Sequence, residues 1–386
     1  MAERKIVVAG IGSGGCRIVE KIAPVLGGAA SIVAIDTDSN VLSGSHVPVK
    51  LEIGSAYTRG MGAGGDVELG RKAAEDDIHM IRELFEGADA VFVMAGLGGG
   101  TGAGAAATVV SAAAETEAMT FCFATLPFQF EGPQRMAKAM KSVDDLKSCS
   151  DTLVLMPNDR LFTSTGEDTV AASFEKADRI LAEGAASIWR MITRPGYISL
   201  DFADLRKAVS NSGSVCSLGF ASAEGEDRAV AVMKELTASP LLGEGSVLGS
   251  AGSLLVSIAG GSDLTLNEID RVMKVLSERV SGKAEVSMGT VIDEAFDGRI
   301  SVTVLAALVD GDGGEKDKPD EPAAVTRKES GAGDSPRRKG RKASQQAKLK
   351  FDVSGQGRFR GIEPTIYEGE DLDIPTFIRR GVSIQK

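Results

Sequence analysis

The chain has 386 residues, enough for two or three domains and a large core, so a peptide hormone or a disulfide mini-protein is excluded. Apolar residues make up 43% and charged residues 25%, which is ordinary for a globular protein, whereas 47 glycines exceed the usual share of about 7%. A formal net charge of -11 argues against nonspecific binding to nucleic acid or acidic membranes, so any anionic ligand must be held locally.

Four cysteines (Cys16, Cys122, Cys149 and Cys216) lie far apart, with no CxxC pair and only His46 and His79 beside them. Neither a disulfide framework nor a protein-held metal site is expected, and a reducing cytoplasm fits best. The N-terminal MAERKIVVAG lacks a signal peptide's apolar stretch, and no run reaches the roughly 18 apolar residues of a membrane span.

Short β-branched runs alternate with helical stretches as far as about Val309. KIVVAG (5–10), SIVAID (31–36), AVFVMA (90–95), FCFATLP (121–127) and TLVLMP (152–157) are predicted buried strands, each bounded by Gly, Pro, Asp or Asn. Helical segments between most of them predict a Rossmann-like α/β domain. Its parallel sheet should carry helices on both faces and ligands at the carboxyl ends of the strands. A long helix is expected from about Asp168 to Thr193, because Val170, Phe174, Ala177, Leu181, Ile188 and Ile192 recur at helical spacing. Arg194-Pro195-Gly196 stops it. Val215 to Val309 reads as a smaller second α/β unit, with strands near VCSLGFA, SLLVSIAG, AEVSMGT and ISVTVLAAL and helices near 226–238 and 265–280.

At Asp310 the composition changes. Eleven basic and eight acidic residues, with almost no aliphatic ones, run to Lys350 and predict a disordered linker. The basic run Arg337 to Lys342 reads as solvated linker, with contact to nucleic acid or lipid headgroups as the alternative. The tail then regains apolar residues: EGEDLDIPTFIRRG sets Leu372, Ile374, Phe377 and Ile378 between an acidic cluster and Arg379-Arg380. Such a segment is too short to fold alone and suits docking into a partner's groove. The expected division is therefore 1–213, 214–309, a linker at 310–366 and a C-terminal peptide at 367–386.

The first strand runs straight into GIGSGG, so Gly10, Gly12 and Gly15 satisfy GxGxxG at the mouth of a helix, and Asp36 ends the second strand about 20 residues later. Alone, that is a dinucleotide fingerprint, and an NAD(P)-dependent oxidoreductase is the runner-up reading. A denser loop follows AVFVMA: Gly98, Gly99, Gly100, Thr101, Gly102, Ala103 and Gly104. Backbone amides of such loops at helix N-termini meet anionic oxygens with the positive end of the dipole. Two cradles on one sheet suit a polyphosphate, and Arg59 to Gly65 (RGMGAGG) supplies a third set of amides. The Lys of GxxxxGK[ST] is missing, so an ordinary Walker-type NTPase is not indicated.

Phe174 and Asp178 lie four apart and share a helix face. Guanine offers two adjacent donors that one carboxylate can accept while an aromatic ring stacks on the base; adenine lacks that pair. Core packing for Phe174 and a surface position for Asp178 are the alternatives. Glu131 and Arg135 in PFQFEGPQRM can meet ribose hydroxyls and phosphates, or form a helix-surface ion pair. Asp201 and Asp204 in SLDFAD can polarise water or hold a cation near it, with helix capping by Asp201 as the alternative.

With these motifs in order, the chain resembles the FtsZ family, bacterial tubulin homologues that form the cell-division ring. GGGTGAG resembles the tubulin signature GGGTGTG; RGMGAGG, PFQFEG, MPNDRL, ITRPG and DFAD are in the family's order; LDIPTFIRR resembles its C-terminal adaptor-binding peptide. The resemblance implies GTP as substrate with Mg2+, head-to-tail homopolymerisation, a hydrolytic site completed between subunits, and assembly at mid-cell in the cytoplasm. It places Gly12, Ser13, Gly14, Gly15, Cys16, Arg17 and Gly98, Gly99, Gly100, Thr101, Gly102 at phosphate-loop positions. Ala63, Gly64 and Gly65 match the loop near the terminal phosphate, and Glu131, Arg135, Phe174 and Asp178 match the nucleoside contacts.

Asp201 and Asp204 match acids lent to the neighbouring subunit. Leu372, Asp373, Ile374, Pro375, Phe377, Arg379 and Arg380 match the segment that binds a membrane adaptor and other division proteins, with no direct membrane insertion and no specific nucleic acid. The chain departs from the family at Arg17, where Asn is usual near the base; at Ser13 and Cys16, which replace glycines; at Ala103, which replaces Thr; and at Ser199, which replaces the Asn of NxDxxD. Ser199 suggests the alternative of a tubulin-like filament that binds GTP but scarcely hydrolyses it.

Overall fold

The computed structural model describes residues 4–161, 169–194, 196–199, 205–207, 215–282, 284–308, 366–367 and 370–371. The strands are β1 (Ile6–Ile11), β2 (Ser31–Asp36), β3 (Val49–Glu52), β4 (Ala90–Gly96), β5 (Met119–Leu126), β6 (Thr152–Pro157), β7 (Val215–Glu224), β8 (Ala251–Gly260), β9 (Glu285–Ile292) and β10 (Arg299–Leu308), and all but β3 form where apolar runs led one to expect them. They make one sheet in the order β3-β2-β1-β4-β5-β6-β7-β10-β8-β9. Pairing is parallel from β3 to β7 and between β8 and β9, whereas β10 runs antiparallel between β7 and β8. The short β3 is an edge strand with Val49 and Lys50 exposed, so it lacks the buried run that marks the other strands.

Helices fill the connections: α1 (Gly12–Leu26), α2 (Ser39–Gly44), α3 (Ser55–Thr58), α4 (Val67–Asp76), α5 (Ile78–Phe85), α6 (Thr101–Ala114), α7 (Pro133–Cys149), α8 (Asn158–Leu161), α9 (Val170–Thr193), α10 (Arg228–Thr237), α11 (Ser246–Ser250) and α12 (Leu266–Arg279). Successive strand residues face opposite sides. Ile6 and Val8 of β1 therefore join the core beneath α1 and α9, while Val7, Ala9 and Ile11 join the one beneath α4, α6 and α7. A third cluster unites β7, β8 and β10 with α10 and α12.

Helix α9 ties the N-terminal strands to the C-terminal ones. It packs on α1 and also meets β7, β8 and β9, burying Ala177, Leu181, Ala185, Ile188, Trp189 and Ile192. Past its end, the Ile198 amide donates to Thr290 Oγ1 at 3.0 Å, and the Thr290 amide donates to the Ile198 carbonyl at 2.8 Å. The 196–199 segment is thereby pinned to β9. Residues 310–365, expected as linker, lie outside the described residues; Ile366–Tyr367 pairs antiparallel with Glu370–Asp371 in a hairpin of a separate unit.

In the C-terminal half, Arg228 is buried and donates to Asp263 at 2.6 Å and to Glu268 at 2.5 Å. Glu268 also closes the capping box of α12 with Thr265. Hydrogen bonds from Arg228 hold the Glu268 carboxyl down at about 2, below the roughly 4.3 of an unfolded glutamate. A depressed carboxylate pKa stabilises the fold above the unfolded value, and the stabilisation is lost as pH falls towards the folded value. Glu268→Gln should therefore cost about 1–2 kcal/mol at neutral pH, with the difference from wild type shrinking between about pH 4.5 and 2. Denaturant unfolding at a series of pH values measures this.

Candidate functional site

Strand order reverses between β1 and β4, and in open parallel sheets that is where a crevice opens at the carboxyl ends. The register brings Ile11 level with Ala95, so the loops after these strands leave side by side. They touch backbone to backbone. A Cβ on Gly12, which has φ +69°, would lie 2.9 Å from the Gly102 nitrogen, and one on Gly102 would lie 2.3 Å from the Gly96 carbonyl oxygen. Only glycine permits this approach.

The crevice is a cavity of about 510 Å³. Gly12, Ser13, Gly14 and Arg17 line it from the first loop, Ala63, Gly64 and Gly65 from the second, and Gly99, Gly100, Thr101 and Gly102 from the third. Glu131, Arg135 and Phe174 line it as well, and so does Asp36. Helices α1 and α6 start here, and their N-cap residues, Ile11 and Gly100, make no side-chain capping bond. By contrast Asp66 caps α4 and Thr265 caps α12. The first-turn amides of α1 and α6 are thus left for a ligand, and two helix dipoles favour an anion there.

Four of the expected contacts stand behind the cavity wall. A Cβ on Gly15 would lie 2.2 Å from the Met94 carbonyl oxygen, so this residue seats α1 against β4. Cys16 is buried, with its thiol 3.7 Å from the Gly10 carbonyl, and burial pushes that thiol up to about 12. Gly98, with φ +94°, lies against the Arg135 carbonyl and Pro127. Asp178 is buried and accepts from Arg17 Nε at 3.0 Å; burial pushes its carboxyl up, with Arg17 opposing.

Several alternatives resolve. Asp178 is no surface charge, and Phe174 is half-buried in the cavity wall. It packs edge-on against Phe128 at 5.2 Å. Glu131 and Arg135 form the i, i+4 ion pair at 2.5 Å and line the cavity as well. The Glu131 carboxylate also accepts from the Phe128 amide at 2.9 Å. Asp36 is buried, and its Oδ1 accepts from the amides of Thr37 and Asp38 at 2.7 and 3.3 Å. It shapes a turn that Thr37 ties to Thr101 by a 2.6 Å hydroxyl contact.

Two further residues were not among the expected contacts: Asn158, inside MPNDRL, and Lys138. Asn158 opens α8 directly after β6; it is buried, lines the cavity, and its Oδ1 has no hydrogen-bond partner among the described residues. Lys138 Nζ donates to the Gly65 carbonyl at 2.6 Å and fixes the second loop. Its place at a strand end, within MPNDRL, is the signal that could have flagged Asn158. Asp201, Asp204 and the whole of Leu372 to Arg380 lie outside the described residues.

A Rossmann-like sheet with three glycine loops around one anion cradle, joined by a long helix to a second α/β half, defines a tubulin-type nucleotide-binding protein. The tubulin/FtsZ family GTPase domain matches residues 5–166, and the FtsZ family C-terminal domain matches residues 214–310. Among solved structures, the FtsZ dimer of M. jannaschii is 33% identical with a TM-score of 0.74, covering 84% of this chain and 95% of that one. A point mutant of M. jannaschii FtsZ is also 33% identical, with a TM-score of 0.73 and coverage of 79% and 91%. CetZ2 from Haloferax volcanii, solved as a GTPγS-bound protofilament, shares the fold at 23% identity and a TM-score of 0.66, with coverage of 78% and 92%. The chain belongs to the tubulin/FtsZ family of GTPases, and the oxidoreductase alternative is set aside.

The close contact at Gly102 gives a direct test of the cradle. Gly102→Ala should weaken nucleoside triphosphate binding by about tenfold or more, equivalent to roughly 1.4 kcal/mol, because the added methyl must push the α6 N-terminus off the end of β4. Equilibrium titration with a fluorescent nucleotide reads the loss.

Proposed function

We propose that the chain binds and hydrolyses GTP, polymerises head to tail, and forms the filament of a cytoplasmic division ring at mid-cell. The observation that carries this reading is the distance between the nucleotide cradle and the described residues that flank Asp201 and Asp204 in sequence. Phe174 sits in the cavity near the start of α9, and Thr193 ends that helix about 30 Å further on at 1.5 Å per residue. Beyond it, Ile198 is pinned to β9, the far edge of the sheet. On the other side of the acids, Arg206 reaches Asp151 at 3.9 Å, just before β6 begins. That is the amino end of a strand whose carboxyl end faces the cavity, about 20 Å away. Asp201 and Asp204 lie between these two anchors in sequence, and on our reading they serve a nucleotide on another copy.

Exposed apolar side chains support contact between copies. Met61 and Phe130 are 74% and 70% exposed beside the cradle, and Tyr197 is 90% exposed next to the pinned segment; such residues at both ends suit burial in an interface. The FtsZ dimer and the CetZ2 protofilament among the structural neighbours agree with self-association.

The residues fit a guanosine triphosphate: amides of α1 and α6 for phosphates, Glu131 and Arg135 for ribose and phosphate, Phe174 for the base plane, and Asp178 for its donor edge. Asn158, with its unpartnered Oδ1, supplies a further polar contact. Mg2+ would be held chiefly by phosphate oxygens and water, since no group of three or more His, Cys, Asp or Glu side chains among the described residues suits a metal; it would neutralise charge that few side-chain cations here can meet. The proposed functional division is 1–213 for nucleotide binding, 214–309 for the C-terminal domain, 310–366 as spacer and 367–386 as the adaptor-binding peptide. Among the described residues no helix is long and apolar enough to cross a membrane.

Phosphate release should show a threshold in protein concentration and coincide with GTP-dependent pelleting. Asp204→Ala should keep GTP binding and lose hydrolysis, with turnover down about a hundredfold or more, in line with losing a positioned acid-base group. Unchanged turnover would refute the shared site, and pelleting of wild type without phosphate release would favour the weakly hydrolysing filament that Ser199 suggests. Removing residues 367–386 should leave pelleting intact and abolish capture by a membrane adaptor; loss of pelleting would show that the tail takes part in assembly.

A further inference from the structure

Arg17 stands on the ground that a base would need. Its Nε donates to Asp178 Oδ2 at 3.0 Å, and one terminal nitrogen lies 3.5 Å from Oδ1. The guanidinium carbon is also 5.2 Å from the centre of the Phe174 ring. The Asp178 side chain is 6% exposed and that of Arg17 49%. Arg17 and Phe174 line the cavity, and Asp178 does not. The carboxylate is therefore reached from the cavity through Arg17.

A guanidinium is flat, carries adjacent N–H donors that match a carboxylate, and lies well against an aromatic face. Guanine presents the same pattern: a flat ring, with N1–H and the 2-amino group as adjacent donors. The two are chemical equivalents at this site, and Asp178 cannot serve both at once. The neighbouring cation, Lys21, is engaged with Glu175 at 3.1 Å.

We propose that Arg17 is a built-in competitor for the base, imitating guanine's donor edge at Asp178 and its plane at Phe174, so that a guanine nucleotide binds by exchange with it. This rests on the guanosine nucleotide reading given above. The exchange lowers affinity for GTP below what the phosphate cradle, Phe174 and Asp178 would otherwise give. It also discriminates. Guanine restores two hydrogen bonds to Asp178 when Arg17 leaves, whereas adenine would leave a buried carboxylate unpaired. An adenine nucleotide leaves Arg17 in place and is held by its phosphates alone.

The test compares full-length wild type with Arg17→Lys by titration below the concentration at which protein pellets, using GTP, ATP and inorganic tripolyphosphate. Lysine keeps the charge but has neither the flat face nor the paired donors. The variant should bind GTP about threefold to tenfold tighter, as expected from replacing a flat, paired-donor guanidinium by an ammonium that holds Asp178 and Phe174 less well. ATP and tripolyphosphate should change by less than about twofold, which also reports an intact phosphate cradle. Weaker GTP binding by the variant would mean that Arg17 contacts the bound nucleotide, and equal binding would mean that the pair does not compete; either overturns the proposal. A wild-type protein that shows no preference for GTP over ATP would instead defeat the base assignment itself, whatever the variant does.

Discussion

The nucleotide cradle depends on backbone meeting backbone where β1 and β4 end. With Gly12 against Gly102, Gly15 against Met94, and Gly102 against Gly96, there is no room for a Cβ at three successive contacts. This closeness lets α1 and α6 begin beside one another at the same crevice. Their first-turn amides then supply the positive character that the side chains around them largely lack. In a chain of net charge -11, a polyanion is best held in this way, by fixed dipoles at one spot and without an attractive surface elsewhere.

Helix α9 connects that crevice to the rest of the molecule. Its first turns carry Phe174 and Asp178, its middle fills the core beneath β7 to β9, and its end leads into the segment pinned at Thr290. At Gly184 a Cβ would lie 2.3 Å from the Leu218 side chain, so helix and sheet are in close contact halfway along. The proposed base contacts and the packing of the C-terminal half thus share one rigid element. A change at the base end has a direct mechanical neighbour in the segment proposed to face another copy.

Much of this was legible in the residue pattern. β1, β2, β4, β5 and β6 announced themselves because strands buried on both faces read as continuous apolar runs. The short, partly exposed β3 did not. The three glycine loops were legible because clustered glycines weaken a fold unless the backbone must come close. Where spacing left two readings for Glu131 and Arg135, both hold: the ion pair forms, and it forms on the cavity wall. Phe174 lies on the apolar stripe of α9, yet it occurs at the helix's cavity end, which periodicity alone cannot locate. Asn158 stood inside MPNDRL, yet its spacing did not mark it as a contact until its unpartnered oxygen was placed.

The alternation of strand and helix, the cradle's place at strand ends and the family could all be read from consecutive residues, because burial and glycine clustering are local properties. Tertiary structure decided which of the loop residues face the cavity and which seat α1 on the sheet. It also decided that Arg17 and Asp178, 161 positions apart, meet as a pair. That meeting follows from the packing of α1 against α9. Neither helix carries a signal for it in its own spacing, because side-chain pairing across two helices depends on their relative rotation and offset, which the surrounding core sets.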